Sequence, residues 1–251
     1  MTGLALARDM LLTGGARLID LLMPPRCPAC KAPTAAAHRY CATCFAALPF
    51  LPDPACFHCG IPLPSRAGGA AECLGCLADP PAFNRASAPL LYAGPARETV
   101  LRFKNGREEM AALMATLMLQ RDRPAADAFV VPVPLDRGRL LRRGYNQAGL
   151  LARQVATRAG APLLPDALVR VRATRSTRGM SRAERRRAAI GAFRVNPVRR
   201  GTIAGASICL VDDVMTTGAT ANACADALLR AGARDVAVLV FARVAPGAPG
   251  F

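Results

Sequence analysis

ICLVDDVMTTGAT, residues Ile208 to Thr220, sets four apolar side chains ahead of two adjacent carboxylates and a short Thr/Gly turn. Ile208, Cys209, Leu210 and Val211 predict a strand buried on both faces, as in a parallel sheet covered by helices. Such a strand delivers Asp212 and Asp213 to the carboxyl edge, where open α/β sheets bind their ligands. Thr216, Thr217, Gly218, Ala219 and Thr220 follow, supplying hydroxyls and backbone N–H groups where a helix through Ala227 and Leu229 begins. A helix N-terminus favours an anion, so a phosphate fits the turn. The two carboxylates suit the vicinal hydroxyls of a ribose. An ordinary capped turn is the plainer alternative, but paired carboxylates closing so apolar a strand argue against it. No lysine follows the glycine, which excludes a Walker-type loop.

A second pattern lies near the other end. Eight of the ten cysteines form C-x-x-C pairs: Cys27/Cys30, Cys41/Cys44, Cys56/Cys59 and Cys73/Cys76. This spacing aims two sulfurs at one tetrahedral ion, and two pairs complete a closed, structural zinc site. The simplest assignment puts Cys27, Cys30, Cys41 and Cys44 on one zinc and Cys56, Cys59, Cys73 and Cys76 on another, with an interleaved arrangement as the alternative. A disulfide framework is disfavoured because the chain shows no signal-peptide pattern, and a reducing, cytoplasmic setting is expected. No helix-forming run follows any pair, as a thioredoxin-like thiol would need. Cys209 and Cys224 read as small core residues.

Composition bounds the partners. The formal net charge is +16, and the only lysines are Lys31 and Lys104, so arginine carries nearly all the positive charge. That excess favours phosphorylated ligands or nucleic acid. With no Trp and three Tyr, a stacking platform for single strands has little to build on. Leu4 to Met23 is apolar but interrupted by Arg8, Asp9, Arg17 and Asp20, which excludes a membrane span. A helix is expected from about Ala16 to Leu22, stopped by Pro24 and Pro25.

The organisation expected is an N-terminal helical segment over 1–25, a cysteine-rich zinc domain over 26–80 and an α/β domain over 82–245. In the last, strands are expected at Ala86–Tyr92, Phe129–Val133, Leu168–Val171, Gly191–Val195 and Val236–Ala242. Helices are expected at Arg97–Phe103, Met110–Leu119 and Leu150–Arg158. Their alternation implies a largely parallel sheet with helices on both faces.

In order, the four cysteine pairs, LRFKNG, VPVP with RRGYNQ, SRAERRRAAIGAF and the carboxylate stretch resemble the ComF family over nearly the whole chain. The stretch at Asp212 is itself similar to the phosphoribosyl-diphosphate (PRPP) motif of type I phosphoribosyltransferases. The resemblance implies a type I phosphoribosyltransferase fold, a parallel sheet flanked by helices, preceded by a small double zinc-ribbon domain. It carries Asp212 and Asp213 over as ribose-binding, catalytic carboxylates, and Thr216, Thr217, Gly218, Ala219 and Thr220 as the 5-phosphate cradle. Asp136 and Arg137 match the pyrophosphate-loop position. Arg143, with Asn146 and Gln147, matches the R-G-aromatic-N-Q motif. Two structural zinc ions are implied, with Mg²⁺ accompanying PRPP. The family also implies a link to competence and DNA uptake, with single-stranded DNA and competence proteins as partners. The usual T-x-x-Q-x-G-L pattern is replaced here around Thr174, Thr177, Gly179 and Met180.

Phosphoribosyl transfer leaves positive charge on the ribose ring and negative charge on pyrophosphate, so an enzyme must hold both ends. Arg175, Arg178, Arg182, Arg185 and Arg186 read either as a lid over the pyrophosphate or as a solvated or nucleic-acid-facing helix surface. Two functions remain open at this point: Mg²⁺-dependent phosphoribosyl transfer to an unknown acceptor, and a non-catalytic nucleic-acid-binding factor that keeps the fold as a sensor or scaffold.

Overall fold

Residues 24–64, 71–172, 184, 187 and 189–244 are described by the computed structural model. The helix expected at Ala16–Leu22 and the arginines from Arg175 to Arg186 lie outside the described residues. The described elements are α1 (Ala42–Ala46), α2 (Leu74–Ala78), β1 (Arg85–Ser87), β2 (Leu90–Leu91), α3 (Gly94–Lys104), α4 (Met110–Arg121) and β3 (Phe129–Pro132). They continue with α5 (Arg137–Arg143), α6 (Gln147–Ala159), β4 (Leu168–Arg170), β5 (Phe193–Val195), α7 (Arg200–Ile203), β6 (Ser207–Met215), α8 (Ala219–Arg230) and β7 (Asp235–Arg243).

The main sheet has strand order β1-β7-β6-β3, with β2 also beside β7, and every pairing is parallel. Ser207 pairs with Asp235 and Met215 with Arg243, so β6 and β7 run together along their full lengths. β3 joins the other side of β6 through Phe129↔Ile208 to Pro132↔Val211. On its other side β3 carries only the short bridge of Val130 to Leu163, and Pro132 is tolerated past that bridge, where the strand is an edge.

Strand alternation divides the interior in two. Ile208 and Leu210 of β6, with Val236, Val238 and Val240 of β7, pack against Ala221, Cys224, Ala225 and Leu228 of α8. Cys209 and Val211, with Leu239 and Phe241, pack on the other face against Val100 and Phe103 of α3, Met114 and Met118 of α4, and Leu151 and Val155 of α6. Near-continuous apolar strands are what a sheet covered on both faces requires.

The cysteine-rich part joins both cores. Leu48 is buried with α3 and α4, whereas Leu51, Cys56, Cys59 and Cys76 are buried with α8 and the β6–β7 pair. Tyr40 Oη lies 2.8 Å from Thr99 Oγ1, on a fully buried side chain of α3. Arg102, also on α3, donates to the Pro28 carbonyl at 3.0 Å.

Three local features differ from the sequence expectation. The first strand is broken into β1 and β2, because Ala88 and Pro89 interrupt its pairing with β7. β4 and β5 leave the parallel sheet and pair antiparallel with each other, Leu168↔Val195 to Arg170↔Phe193. They form a separate two-stranded hood whose inner residues Leu168 and Phe193 reach the α8-side core. The arginine-rich RGRLLRR stretch forms α5.

Gly60 tests the fit between the cysteine-rich part and the sheet. It has φ +66°, and a Cβ there would lie 2.8 Å from the Ala86 carbonyl oxygen of β1. Gly160, at φ +69°, ends α6 with nothing within 4 Å. Gly160→Ala is therefore expected to cost about 1 kcal/mol, the left-handed strain alone. Gly60→Ala adds a backbone clash and is expected to cost about 2 kcal/mol or more, read by chemical denaturation of both variants.

Candidate functional site

The parity of β6 sends its two carboxylates to opposite faces. Asp212 points to the α8 side, where it lines a cavity with Arg170 of β4, Phe193 of β5 and the turn Thr216–Gly218. Asp213 points to the α3 side, where its Oδ2 accepts a charged hydrogen bond from Lys104 Nζ at 2.9 Å. The Asp212 carboxylate is held to its neighbour's backbone, with Asp213 N donating to Asp212 Oδ1 at 2.8 Å. The two carboxylates expected to act together thus begin from unlike surroundings.

Their charges follow from these surroundings. Burial pushes the Asp212 carboxyl up to about 7, and repulsion from Asp213 adds to it; the Asp213 N–H, Lys104 and Arg170 pull the other way. For Lys104, burial opposes the charge, but Asp213 and then Asp212 more than offset it and hold its pKa above the ordinary lysine value. Lys104 comes from the LRFKNG stretch, and nothing in its sequence context names Asp213 as its partner.

Below the carboxylates, Gly218 takes φ +80° as the N-cap of α8, a conformation that favours glycine. Thr217 Oγ1 accepts from Ala219 N at 3.4 Å, and Asn222 N closes the first helical turn on the Gly218 carbonyl at 2.8 Å. Gly218 has no side chain with which to cap α8, so beyond Ala219 N the anion-attracting end of the helix is not closed by its N-cap residue. Thr216, Thr217, Gly218, Ala219 and Thr220 all line the cavity of Asp212. Arg170 joins them although the sequence reading passed over it. Its guanidinium carbon lies 5.3 Å from the centre of the Phe193 ring, a cation–π distance that holds the charge over the turn.

The remaining sequence-predicted residues gather at the neighbouring strand. Asp136 sits between β3 and α5, its Oδ1 accepting from Gly138 N at 3.1 Å, and Arg137 begins α5. Arg143 Nη1 donates to Gln147 Oε1 at 2.9 Å, while Asn146 Nδ2 reaches the Val133 carbonyl at 3.2 Å. Val133 N in turn binds the Val211 carbonyl, so RRGYNQ is anchored beside the carboxyl end of β6. Gln147 is buried, and its Nε2 has no hydrogen-bond partner among the described residues. A larger cavity of about 710 Å³ lies between Pro24, Cys27, Arg102 and Met110, away from the carboxylates, so size alone does not mark the site.

The cysteines close into two tetrads, Cys27/Cys30/Cys41/Cys44 and Cys56/Cys59/Cys73/Cys76, with the sulfurs of each within 4.8 Å of one another. Cys30 and Cys41 sulfurs are 3.6 Å apart, as are those of Cys59 and Cys73. Thiolates around a tetrahedral zinc stand about 3.8 Å apart, so both sets suit structural zinc, paired sequentially rather than interleaved.

The raised pKa of Asp212 makes stability depend on pH. The unfolded carboxyl titrates at 3.8 and the folded one at about 7, so the stability tied to this proton is complete below the first value and lost as pH rises through the second. Asp212→Asn cannot ionise. It is expected to melt a few degrees above the parent at about pH 8 and to lose that advantage at about pH 4, in thermal scans of both proteins.

The double zinc ribbon domain model matches residues 18–77. The DNA utilization protein YhgH of Salmonella typhimurium is 34% identical over 233 residues, covering 89% of this chain and 99% of that protein. Competence protein F of Haemophilus influenzae is 32% identical over 198 residues, 76% of this chain and 85% of that protein. A solved glutamine phosphoribosylpyrophosphate amidotransferase from B. subtilis overlaps 54% of this chain and 26% of its own, at 21% identity and a TM-score of 0.35. Among the described residues no helix is long and apolar enough to cross a membrane. With a relative matched almost end to end and the double zinc ribbon in place, the chain belongs to the ComF family, alongside competence protein F and YhgH.

Proposed function

We propose that the protein binds PRPP with Mg²⁺ and transfers its phosphoribosyl group to an acceptor, in a role linked to competence and DNA use as in the relatives' names. The observation that carries this reading is Asp212: a carboxylate poised near neutrality, beside a helix N-terminus that begins at a glycine, in one cavity with an arginine. A surface built for nucleic acid has no use for a carboxylate there, because it repels a polyanion.

In this reading the turn Thr216–Thr220 and the α8 N-terminus hold the 5-phosphate, and Arg170 adds a charged donor from above. Asp212 accepts from a ribose hydroxyl and, once ionised, favours the positive charge that develops on the ring. Asp213 and Lys104 fix the second face of β6 and keep a cation beside the carboxylates. Asp136 and Arg143, at the two ends of the α5 segment that follows β3, are assigned in this reading to the pyrophosphate. Asp212 offers the hard oxygen donors that Mg²⁺ prefers, and the ion would offset the charge of the leaving pyrophosphate.

Calorimetric titration with PRPP and Mg²⁺ tests this, followed by product analysis across nitrogenous acceptors. The parent is expected to bind, and Asp212→Asn to bind about tenfold or more weakly while staying folded. Equal affinity in the two proteins would overturn the assignment.

The net charge of +16 favours a second reading, a nucleic-acid-binding factor that uses the PRPP site as a sensor. It predicts weak, sequence-indifferent binding of single-stranded DNA that falls steeply as salt rises, read by fluorescence anisotropy of a labelled oligonucleotide. Absence of binding even at low salt would remove this reading.

A further inference from the structure

Arg243, the last residue of β7, is 5% exposed and so stands apart from the surface arginines that dominate the chain. A buried guanidinium is costly unless its donors and charge are both met. Its Nε donates to the Cys59 carbonyl at 3.0 Å. Its Nη1 donates to the carbonyls of Met215 at 2.9 Å, of Thr216, and of Val244 at 3.1 Å. Cys59 belongs to the second cysteine tetrad, while Met215 ends β6 and Thr216 opens the phosphate turn. One side chain therefore ties a zinc-ligand backbone to the turn that is read as holding phosphate.

The charge has a counterpart on the same side. Four thiolates holding a zinc would carry a net negative charge, which would offset the guanidinium. The two surfaces also meet directly: Cys59, Cys76, Phe83, Thr217, Gly218 and Asn222 wall a single narrow cleft. Asn222 Oδ1, from the first turn of α8, accepts from Ala82 N at 2.6 Å.

The clamp has a definite consequence for the turn. A trans peptide is planar, so its C=O and the next N–H point in opposite directions. Holding the Met215 and Thr216 carbonyls on Arg243 turns the N–H groups of Thr216 and Thr217 away from the arginine. We propose that Arg243 is a positioning residue through which the second tetrad, Cys56/Cys59/Cys73/Cys76, orients the phosphate turn, so that its metal rather than that of the first tetrad sets the affinity of the turn for phosphate. The ligand named here rests on the PRPP reading above; the coupling between tetrad and turn does not.

The test uses full-length, zinc-loaded protein and Arg243→Lys, which keeps a charge but cannot span tetrad and turn with a planar fork. Arg102→Lys is the matched control, since Arg102 makes the corresponding contact to Cys27 and Pro28 at the first tetrad. Arg243→Lys is expected to keep both zinc ions, bind PRPP with Mg²⁺ about tenfold more weakly, and show faster amide exchange confined to residues 215–220. Arg102→Lys is expected to do neither. Parent-like exchange and affinity in Arg243→Lys, or the same losses in Arg102→Lys, would overturn the proposal.

Should Arg243→Lys fail to fold, the parent protein supplies an independent reading through reciprocity. Saturating PRPP with Mg²⁺ is then expected to slow alkylation of Cys56, Cys59, Cys73 and Cys76 in the presence of a chelator, and to leave the first tetrad unchanged. Equal protection of both tetrads, or of neither, would count against the coupling. If the parent binds no PRPP, the ligand reading fails, and the exchange comparison between the two lysine variants alone decides the coupling.

Discussion

A β-strand sends neighbouring side chains to opposite faces, and in β6 this constraint organises the molecule. Ile208 and Leu210 supply the core beneath α8, and Cys209 and Val211 supply the core beneath α3, α4 and α6. Carried one step further, the same alternation separates Asp212 from Asp213. One carboxylate enters the cavity lined by the Thr216–Thr220 turn and the other meets a lysine. The two acids differ in role because of their parity, before any ligand is considered.

The site is held at some cost to stability. Asp212 sits where burial and Asp213 both resist its charge, and Lys104 offsets only part of this from the far face of the strand. A buried ion pair of this kind is weak evidence of stability, because desolvation consumes much of the attraction. Its arrangement makes sense as preparation for a ligand that brings hydroxyls and a cation to the carboxylates. The apolar strands carry the fold, and the carboxyl edge is free to be suboptimal.

The cysteine-rich part is built into the sheet from two sides. Its first half reaches α3 through Tyr40 and Pro28, and its second half reaches β7, β1 and, through Arg243, the turn at Thr216 by way of Cys59 and Gly60. Small metal-stapled units have little apolar surface of their own, so sharing the cores of a larger neighbour is a natural way to stabilise them. Sharing also makes the neighbour's geometry depend on the metal.

Much of this was legible in the residues alone. The apolar run ending in Asp212 and Asp213, the Thr/Gly turn and the C-x-x-C pairs depend on local chain geometry, and local geometry is written in spacing. A knuckle needs two intervening residues, a buried strand needs an unbroken apolar run, and an anion-binding helix start needs a turn without a bulky cap. Only the tertiary structure decided the rest. Lys104 against Asp213, Arg170 over Phe193 and Arg243 on Cys59 join residues far apart in the chain, and no local pattern reveals the partner of any of the three. The hood strands β4 and β5 looked like members of the parallel sheet because a short apolar segment carries no mark of its partner; packing chose the antiparallel pair. Spacing tells what a segment is able to form, whereas the register of the packed sheet determines which distant charge it meets.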